Sequence, residues 1–268
     1  MVHAIANIRW NPDPVLIDFG FFTLRWYGLL FATGILLSYT LIRRGFQRAG
    51  IASALFETFS LTAVLGMFVG MRLGHFLFYE PIAFIERPIE VFLPVRIHPV
   101  LHLTGYEGLA SHGGAIGILV AVGWFIRKYP SVAATFVLNQ LAIVGPLASG
   151  FIRLGNLMNS EIVGRPSDVP WAFVFVPIDA LPRHPTPLYE AAGYFAIFCL
   201  LYFLRQRRWF YQKARLFGLF LVLSFGWRFV VEFFKENQEA FEQGLWLNMG
   251  QWLSIPFVVA GVIILFRR

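Results

Sequence analysis

The segment Gly150–Arg165, GFIRLGNLMNSEIVGR, places a group of polar side chains directly after an apolar run of the sequence. The group consists of Arg153, Asn156, Asn159 and Glu161, and its first three members are each three residues apart. On a continuing helix this spacing brings them to one side. Arginine presents a planar fork of N–H donors that suits a phosphate, and a glutamate can orient that arginine or accept a substrate hydroxyl group. The segment therefore predicts a site for a phosphate-bearing molecule.

A structural interpretation of the same residues is also open. They could form a polar network that only ties a loop to a helix bundle, and Gly155 could interrupt the helix that would align them. Polar groups at the end of a membrane span are costly to desolvate, however, and usually face a bundle interior or a water-filled cavity. This cost favours the functional interpretation, with the lipid bilayer as the solvent and as a source of substrate.

Three further residues could complete a phosphate site. Arg228 and Glu232 are four residues apart, which places them on one face of a helix where they can pair. The pair either specifies packing or, because Arg228 lies near the predicted depth of Arg153, supplies the second arginine of a phosphate clamp. Tyr27, in an RWYG stretch, could hydrogen-bond a substrate, or it belongs to the aromatic belt of the membrane interface.

A histidine at the start of an apolar stretch could handle a proton. His112 lies in SHGGAIG, and the adjacent Gly113 and Gly114 remove side-chain bulk, so that a lipid or a peptide could approach it. Histidine can take up a proton near neutral pH. Small-residue helix packing around a hydrogen-bonded histidine explains the stretch equally well.

Two other candidates are less specific. The stretch Arg183–Glu190, RHPTPLYE, comes just before an apolar run, where it could anchor the interface and begin a helix, or take part in function. Cys199 is the only cysteine and has apolar sequence neighbours. A reactive thiol needs a partner that lowers its pKa, so we interpret Cys199 as a packing residue.

The composition indicates which elements position these residues. The chain is 57% hydrophobic and has 14% charged residues, against about 25% in soluble domains. A membrane-spanning helix needs roughly 20 apolar residues. We therefore predict an all-α integral membrane protein, a single polytopic domain over residues 1–268, with about seven transmembrane helices. The predicted spans are Phe19–Ile42, Ala54–Phe78, Ala110–Ile126, Val132–Ile152, Leu188–Leu204, Leu216–Phe234 and Leu247–Phe266.

The distribution of basic residues predicts the orientation. Lys and Arg without acidic neighbours follow the first, third, fifth and last predicted spans: Arg43, Arg44, Arg48, Arg127, Lys128, Arg205, Arg207, Arg208, Lys213, Arg215, Arg267 and Arg268. Cytoplasmic loops attract such residues, which places the N-terminus outside and the C-terminus in the cytoplasm. Two long loops, about 79–109 and 156–187, then lie on the outer face. The net charge of +7 reflects this topology and anionic headgroups, and we expect no nucleic-acid partner.

Five stretches together resemble the prolipoprotein diacylglyceryl transferases, bacterial enzymes that begin lipoprotein maturation. The resemblance covers nearly the whole chain, and the third of these stretches is the diagnostic motif of the family. Ile152, Leu157 and Pro187 depart from the family pattern, which has Gly, Phe and Gln at these positions. The stretches are RWYG at Arg25–Gly28, SHGGAIG at Ser111–Gly117, RLGNLMNSEIVGR at Arg153–Arg165, RHPTPLYEA at Arg183–Ala191 and RFVVEFFKE at Arg228–Glu236.

The resemblance implies a multi-pass protein of the bacterial cytoplasmic (inner) membrane with its active site toward the periplasm. Such an enzyme transfers the diacylglyceryl group of phosphatidylglycerol to the thiol of the lipobox cysteine in a pre-lipoprotein signal peptide. It releases glycerol 1-phosphate and uses no metal and no cofactor. The functional positions that the resemblance implies are Tyr27, His112, Arg153, Asn156, Glu161, Gly164, Arg228 and Glu232.

The free energies of the reaction steps rank the residues by their expected contribution to catalysis. A cysteine thiol has a pKa near 8.5, so forming the thiolate at pH 7 costs only about 2 kcal/mol. A preorganised donor to a leaving phosphate can supply roughly 3–4 kcal/mol. We therefore expect Arg153 and Arg228 to form the phosphate clamp and His112 to be the base, with Tyr27 also catalytic. The expected substrate-binding residues are Arg153, Asn156, Asn159, Glu161, Gly164, Glu232, Gly113 and Gly114.

Other classes of membrane protein fit less well. An intramembrane protease would need an HExxH zinc site, a Gly-x-Ser nucleophile or paired aspartates within the membrane. The sequence has no HExxH, and its aspartates Asp13, Asp18, Asp168 and Asp179 lie outside the predicted spans. A transporter is expected to show inverted repeats or helices interrupted at the midplane, and neither is visible. A lipid-binding protein without activity stays an alternative.

Overall fold

The structure is a computed structural model that describes residues 8–20, 23–92, 95–96, 102–103, 110–236 and 246–267. Most of this part of the chain is helical. The strands are β1 (Ile8–Trp10), β2 (Val15–Asp18), β3 (Thr23–Arg25), β4 (Val95–Arg96), β5 (His102–Leu103), β6 (Phe173–Phe175) and β7 (Pro182–Arg183). The helices are α1 (Trp26–Arg48), α2 (Ser53–Tyr79), α3 (Ala83–Glu86), α4 (Pro88–Phe92), α5 (Ser111–Lys128), α6 (Ala134–Met158), α7 (Thr186–Leu204), α8 (Arg208–Tyr211), α9 (Arg215–Glu232) and α10 (Met249–Phe266).

Six helical segments of the described chain are long and apolar enough to cross a membrane, which confirms a multi-pass membrane protein. The six are α1, α2, α6, α7, α10 and the segment Arg208–Glu232, which contains α9. The remaining predicted span, Ala110–Ile126, corresponds to α5, an 18-residue helix. Its first residues, Ser111 and His112, and its last two, Arg127 and Lys128, are polar and lower its hydropathy. The count of seven and the orientation stay predictions.

The first helix begins later than its apolar pattern predicted. The predicted start at Phe19 is wrong, because residues 15–25 contain the antiparallel pair β2–β3 and helix α1 starts only at Trp26. Gly20 adopts a left-handed backbone with φ +81°, and its N–H donates to the Asp18 carboxylate at 2.8 Å. A glycine in this conformation favours a turn over a helix.

The residues form two compact units, and the first comprises Met1–Ile42 and Leu138–Arg268. Its apolar core joins α6, α7 and α9, with buried side chains from Ala142, Ile143, Tyr194, Ile197, Leu201 and Leu216. Cys199 is exposed on α7, so the prediction that it packs in the interior is wrong. On a helix of this apolar composition, the exposed face is the one available to lipid.

A three-stranded sheet covers the end of α6 within the first unit. Strand β6 pairs with β1 in parallel and with β7 in antiparallel orientation. Trp10 packs with Phe173 and donates its indole N–H to the carbonyl oxygen of Leu157 at 2.9 Å. The sheet is therefore attached to the last turn of the helix that carries Arg153.

The second unit, Arg43–Val137, is organised by close packing of α2 against α5. A Cβ at Gly70 or Gly117 would collide with the backbone of the other helix. Small residues permit such backbone approach between membrane helices. From α2, the side chain of Arg72 also reaches the backbone of α4 and donates to the carbonyl oxygen of Val91 at 3.1 Å. The single-domain organisation predicted from the sequence stays a prediction.

Candidate functional site

Helices α6 and α7 meet through a buried pair of opposite charges in the first unit. Arg153 lies five residues before the last residue of α6, and Glu190 lies in the second turn of α7. Arg153 Nε is 3.0 Å from Glu190 Oε2, with the separation of an ion pair but without the angles of a hydrogen bond. The Glu190 side chain is fully buried. A buried carboxylate is tolerated when it is paired, and Arg153 is one of the partners of Glu190.

A buried lysine extends this pair to a network of five charges. Lys235 Nζ lies 3.1 Å from Glu190 Oε1 and 2.8 Å from Glu232 Oε1, and its side chain is only 4% exposed. Arg228 Nε is 3.6 Å from the same Glu232 oxygen. We call Arg153, Glu190, Lys235, Glu232 and Arg228 the ion-pair network. Its charges alternate in sign, and the two arginines predicted as a phosphate clamp are its two ends.

The first turn of α10 contributes a further contact to the network. Asn248 Nδ2 donates to Glu232 Oε2 at 3.2 Å and to the Glu232 carbonyl oxygen at 3.3 Å. Asn248 also caps α10 in a reciprocal capping box with Gln251. A Cβ at Gly250 would collide with the Glu232 carboxylate. Glu232 thus occupies the N-terminus of α10, where free N–H groups and the helix dipole favour a negative charge.

A second branch of hydrogen bonds runs from Arg153 to Glu161. Arg153 Nη1 donates to Asn156 Oδ1 at 3.2 Å, and Asn156 Nδ2 donates to Glu161 Oε2 at 2.7 Å. Asn159 Nδ2 donates to the other carboxylate oxygen, Oε1, at 3.0 Å. Helix α6 continues through Gly155 to Met158, so Gly155 does not interrupt the helix and Arg153 and Asn156 lie on one side of it. Asn159 follows the end of the helix and joins the group through Glu161.

Tyr27 and Gly155 pack directly against each other. A Cβ at Gly155 would lie 2.7 Å from Cδ2 of the Tyr27 ring, so only glycine allows this contact. Arg153 and Glu161 are close enough for their charges to act on the Tyr27 hydroxyl group. The structure therefore brings Tyr27 together with the polar end of α6.

Gly164 connects the loop after α6 to the segment that carries Lys235. The two residues form an isolated antiparallel β-bridge, and Gly164 N donates to the carbonyl oxygen of His184 at 2.9 Å. A Cβ at Gly164 would lie 2.6 Å from the Phe234 carbonyl oxygen. Arg183 Nη1 donates to the Gly164 carbonyl oxygen at 3.2 Å. The contacts of Gly164 are thus with the backbone that aligns Lys235.

Arg183 itself is held by two acidic residues outside the membrane-spanning helices. It forms ion pairs with Asp179 and with Glu236, the latter at 2.8 Å. The hydrogen bond from Arg183 holds the pKa of the Asp179 carboxyl below its usual value, and the same bond raises the pKa of Arg183. Arg183 therefore stays charged and fixes the loop around Gly164.

Several donors of the two arginines are available to a ligand. Nη2 of Arg153 and both Nη atoms of Arg228 have no acceptor among the residues that the structure describes. The side chains of Arg153 and Arg228 are 15% and 34% exposed. Guanidinium groups with unused N–H donors can bind a phosphate in bidentate fashion. Within the described residues, His, Cys, Asp and Glu form no group that could hold a metal ion.

Comparison with known proteins identifies the family. The family description that matches is prolipoprotein diacylglyceryl transferase, over residues 14–267. The chain belongs to the prolipoprotein diacylglyceryl transferase family. Three similar relatives carry the name phosphatidylglycerol–prolipoprotein diacylglyceryl transferase. The one from Tolumonas auensis is 46% identical and covers 96% of this chain and 95% of its own. Those from Bacteroides fragilis and Chloroherpeton thalassium are 43% and 40% identical, covering 99% and 98% of this chain and 97% and 94% of their own.

Membership of the diacylglyceryl transferase family makes this protein a membrane transferase. One group of the expected site residues lies in the second unit. His112 is the second residue of α5, and its side chain lies outside the described part of the structure. A Cβ at Gly113 would collide with the Gly70 backbone, and one at Gly114 would lie 2.6 Å from the Met71 side chain. Gly113 and Gly114 therefore make packing contacts, and their binding of substrate stays a prediction.

The sequence interpretation missed several residues of the candidate site. Glu190 was left between two interpretations, and Lys235, Asn248 and Gly250 were not selected. Lys235 follows an apolar span at three residues from Glu232, so the cost of desolvating a charge at a span end could have identified it. Gly250 had no comparable signal, because its role depends on which helix end meets Glu232.

Proposed function

We propose that Arg153 and Arg228 bind the phosphate of phosphatidylglycerol while this transferase moves the diacylglyceryl group to a prolipoprotein. The observation that carries the proposal is the ion-pair network, in which the two arginines share buried carboxylates with Lys235 and keep unused N–H donors. Because Glu190 and Glu232 are held by other groups, each arginine is oriented before substrate binds. Preorganised donors of this kind stabilise charge that develops in a transition state.

The proposed reaction exchanges one bond for another at the glyceryl carbon that carries the phosphate ester. The sulfur of the lipobox cysteine forms a C–S bond to this carbon, and the C–O bond to the phosphate breaks. The electron pair leaves with glycerol 1-phosphate, and the thiol proton goes to a base. Forming the thiolate at pH 7 costs about 2 kcal/mol, whereas each donor to the leaving phosphate can supply roughly 3–4 kcal/mol. The arginines therefore carry the larger share.

The other residues support this step in different ways. Asn156 orients Arg153, and Glu161 fixes the amide groups of Asn156 and Asn159. Tyr27 offers a hydroxyl group beside this branch. We assign the base to His112 from its residue type and its place at the start of α5.

We also propose that the site faces the periplasm and that the protein lies in the bacterial inner membrane. The network is formed by the ends of α6 and α9 and the starts of α7 and α10. The opposite ends of α7, α9 and α10 carry Arg205, Arg215 and Arg267. Basic residues mark the cytoplasmic side of membrane helices, which supports an outer position for the network.

The test is transfer by the purified protein from phosphatidylglycerol labelled in its acyl chains to a lipobox peptide. We expect label on the peptide cysteine, release of glycerol 1-phosphate, and no transfer to a peptide with serine in place of that cysteine. Arg153→Ala and Arg228→Ala should abolish transfer, while Arg44→Ala, at the end of α1, serves as the matched arginine control. Absence of transfer by folded protein would refute the proposed reaction, and full activity of both variants would refute the phosphate site.

A further inference from the structure

The turn that carries Glu161 has an unusual backbone on both sides of this residue. Ser160 and Ile162 each have φ +55°, in the left-handed region that residues with a Cβ rarely adopt. For a β-branched residue such as Ile162 this conformation is a genuine outlier. Strained residues persist only where the surrounding structure holds them, and they concentrate at functional sites. The contacts that hold this turn therefore bear on where the Glu161 carboxylate lies.

One side chain from another helix contacts the strained residue directly. Thr186 is the first residue of α7 and is completely buried. Its hydroxyl group donates to the carbonyl oxygen of Ile162 at 2.7 Å. The N-terminal side of the turn is held by the backbone, since Glu161 N donates to the Asn156 carbonyl oxygen at 2.9 Å. Thr186 thus holds the C-terminal side of the turn, whereas the α6 backbone holds its N-terminal side.

The position of Thr186 also couples the turn to the ion-pair network. Thr186 and Glu190 are four residues apart on α7 and share one face of this helix. Glu190 contacts Arg153, whereas Thr186 contacts the turn whose Glu161 carboxylate holds Asn156. One face of α7 therefore carries both the ion-pair partner of Arg153 and the hydroxyl group that holds the turn of Glu161.

We infer that Thr186 is a positioning residue, whose hydroxyl group holds the left-handed backbone at Ile162 and thereby aims the Glu161 carboxylate at Asn156 and Asn159. The inference rests on the proposed site, since it needs Glu161 to matter for transfer. It predicts that transfer activity depends on the hydroxyl group of Thr186 and not on its methyl group. It also predicts that the hydroxyl group becomes dispensable once the backbone at residue 162 is no longer strained.

The experiment compares four variants in the transfer assay. Thr186→Val keeps the shape of the side chain but loses the donor, and we expect kcat/KM to fall about tenfold, the size of one buried hydrogen bond. Thr186→Ser keeps the donor and should stay within about twofold of the original protein. Ile162→Gly in the Thr186→Val background should restore most of the lost activity, because glycine adopts positive φ without strain. Thr58→Val, which removes a hydroxyl bond to Ala54 within α2, is the matched control.

The outcomes separate positioning from loss of folding and from failure of the site. All activities are measured well below the melting temperature of each variant, which is recorded in parallel. Full activity of Thr186→Val, or no recovery on adding Ile162→Gly, would overturn the inference. The variant Glu161→Gln tests the site itself. If it keeps full activity, the proposed role of Glu161 is wrong, whereas a loss there with an unaffected Thr186→Val rejects only the role of Thr186.

Discussion

The polar end of the first unit and the α2–α5 contact of the second unit both contain stretches that sequence analysis linked to function. In the first, Arg153, Glu190 and Lys235 bring buried charges into contact through side chains. In the second, Gly70 and Gly113 bring helix backbones into contact because they lack side chains. Charged residues at span ends thus identified a place where chemistry can occur, whereas glycines in a similar position identified a helix interface.

The two regions should also respond differently to substitution. Buried charges are tolerated because each has partners, so removing one charge leaves its partners unpaired in a medium that solvates them poorly. A glycine contact between helices depends on volume and not on charge. Substitutions at the polar end of the first unit should therefore affect both stability and rate, and substitutions at the glycine contact between α2 and α5 mainly stability.

We expect the largest effect on stability and transfer from Lys235→Met. It keeps an apolar stem of similar length but leaves Glu190 and Glu232 without their shared cation. Breaking a buried ion pair costs about 3–5 kcal/mol, and we expect a stability loss of this size together with loss of transfer. Unfolding in detergent, followed by circular dichroism, measures it. Lys235→Arg is the charge-preserving control, and equal stability of Lys235→Met and the original protein would contradict the network.

A matched pair of glycine substitutions distinguishes the two regions. Gly250→Ala should push the Glu232 carboxylate away from Lys235, and misplacement of a site group by about 1 Å can cost roughly a hundredfold in rate. Gly117→Ala overpacks the α2–α5 contact at a cost of about 1–3 kcal/mol in stability. We expect Gly117→Ala to keep its kcat in the folded fraction. A similar loss of kcat in both variants would remove the distinction between the two regions.

Asn159→Ala should have a smaller effect on the site. It removes the hydrogen bond to Glu161 Oε1, while Asn156 still holds the other oxygen of this carboxylate. One net hydrogen bond is worth about 0.5–1.5 kcal/mol, which corresponds to a severalfold loss in kcat/KM. Steady-state transfer kinetics measure the loss. A decrease as large as that of Arg153→Ala would show that Asn159 does more than orient Glu161.

The smallest effect concerns pH and the loop that supports Gly164. Burial, followed by the charge of Arg165, lowers the pKa of His184, so the native protein favours its neutral form. The stabilisation is complete above the unfolded pKa of about 6.5 and decreases as the pH falls from there toward the lowered native pKa. Melting temperatures between pH 7.5 and 5 should show this decrease, and His184→Gln should flatten it. An unchanged slope in His184→Gln would assign the pH dependence to another group.

The sequence predicted those parts of the site that depend on local spacing. Arg153 and Asn156 share a turn of α6, and Arg228 and Glu232 share a face of α9, as their intervals of three and four residues indicate. The spacing could not reveal that Lys235 joins Glu190 to Glu232, because this contact depends on which helix ends meet in space.

The fold was predicted to a similar extent. Apolar runs identified the helices because length and hydropathy are local properties of the sequence. The start of α1 was misplaced because the apolar residues of the β2–β3 pair resemble the beginning of a span, although a turn at Asp18–Gly20 follows β2. The exposure of Cys199 was missed because an apolar helix in a membrane carries apolar residues on its outer face as well.

The most direct test of the phosphate clamp compares the rate of a single transfer turnover for Arg153→Ala and His112→Ala under identical saturating conditions. The phosphate clamp predicts that Arg153→Ala loses far more of the rate, on the order of a hundredfold or more, because stabilising the leaving phosphate is the larger task. A greater loss in His112→Ala, with Arg153→Ala close to the original rate, would contradict it and assign the main catalytic contribution to proton removal from the thiol.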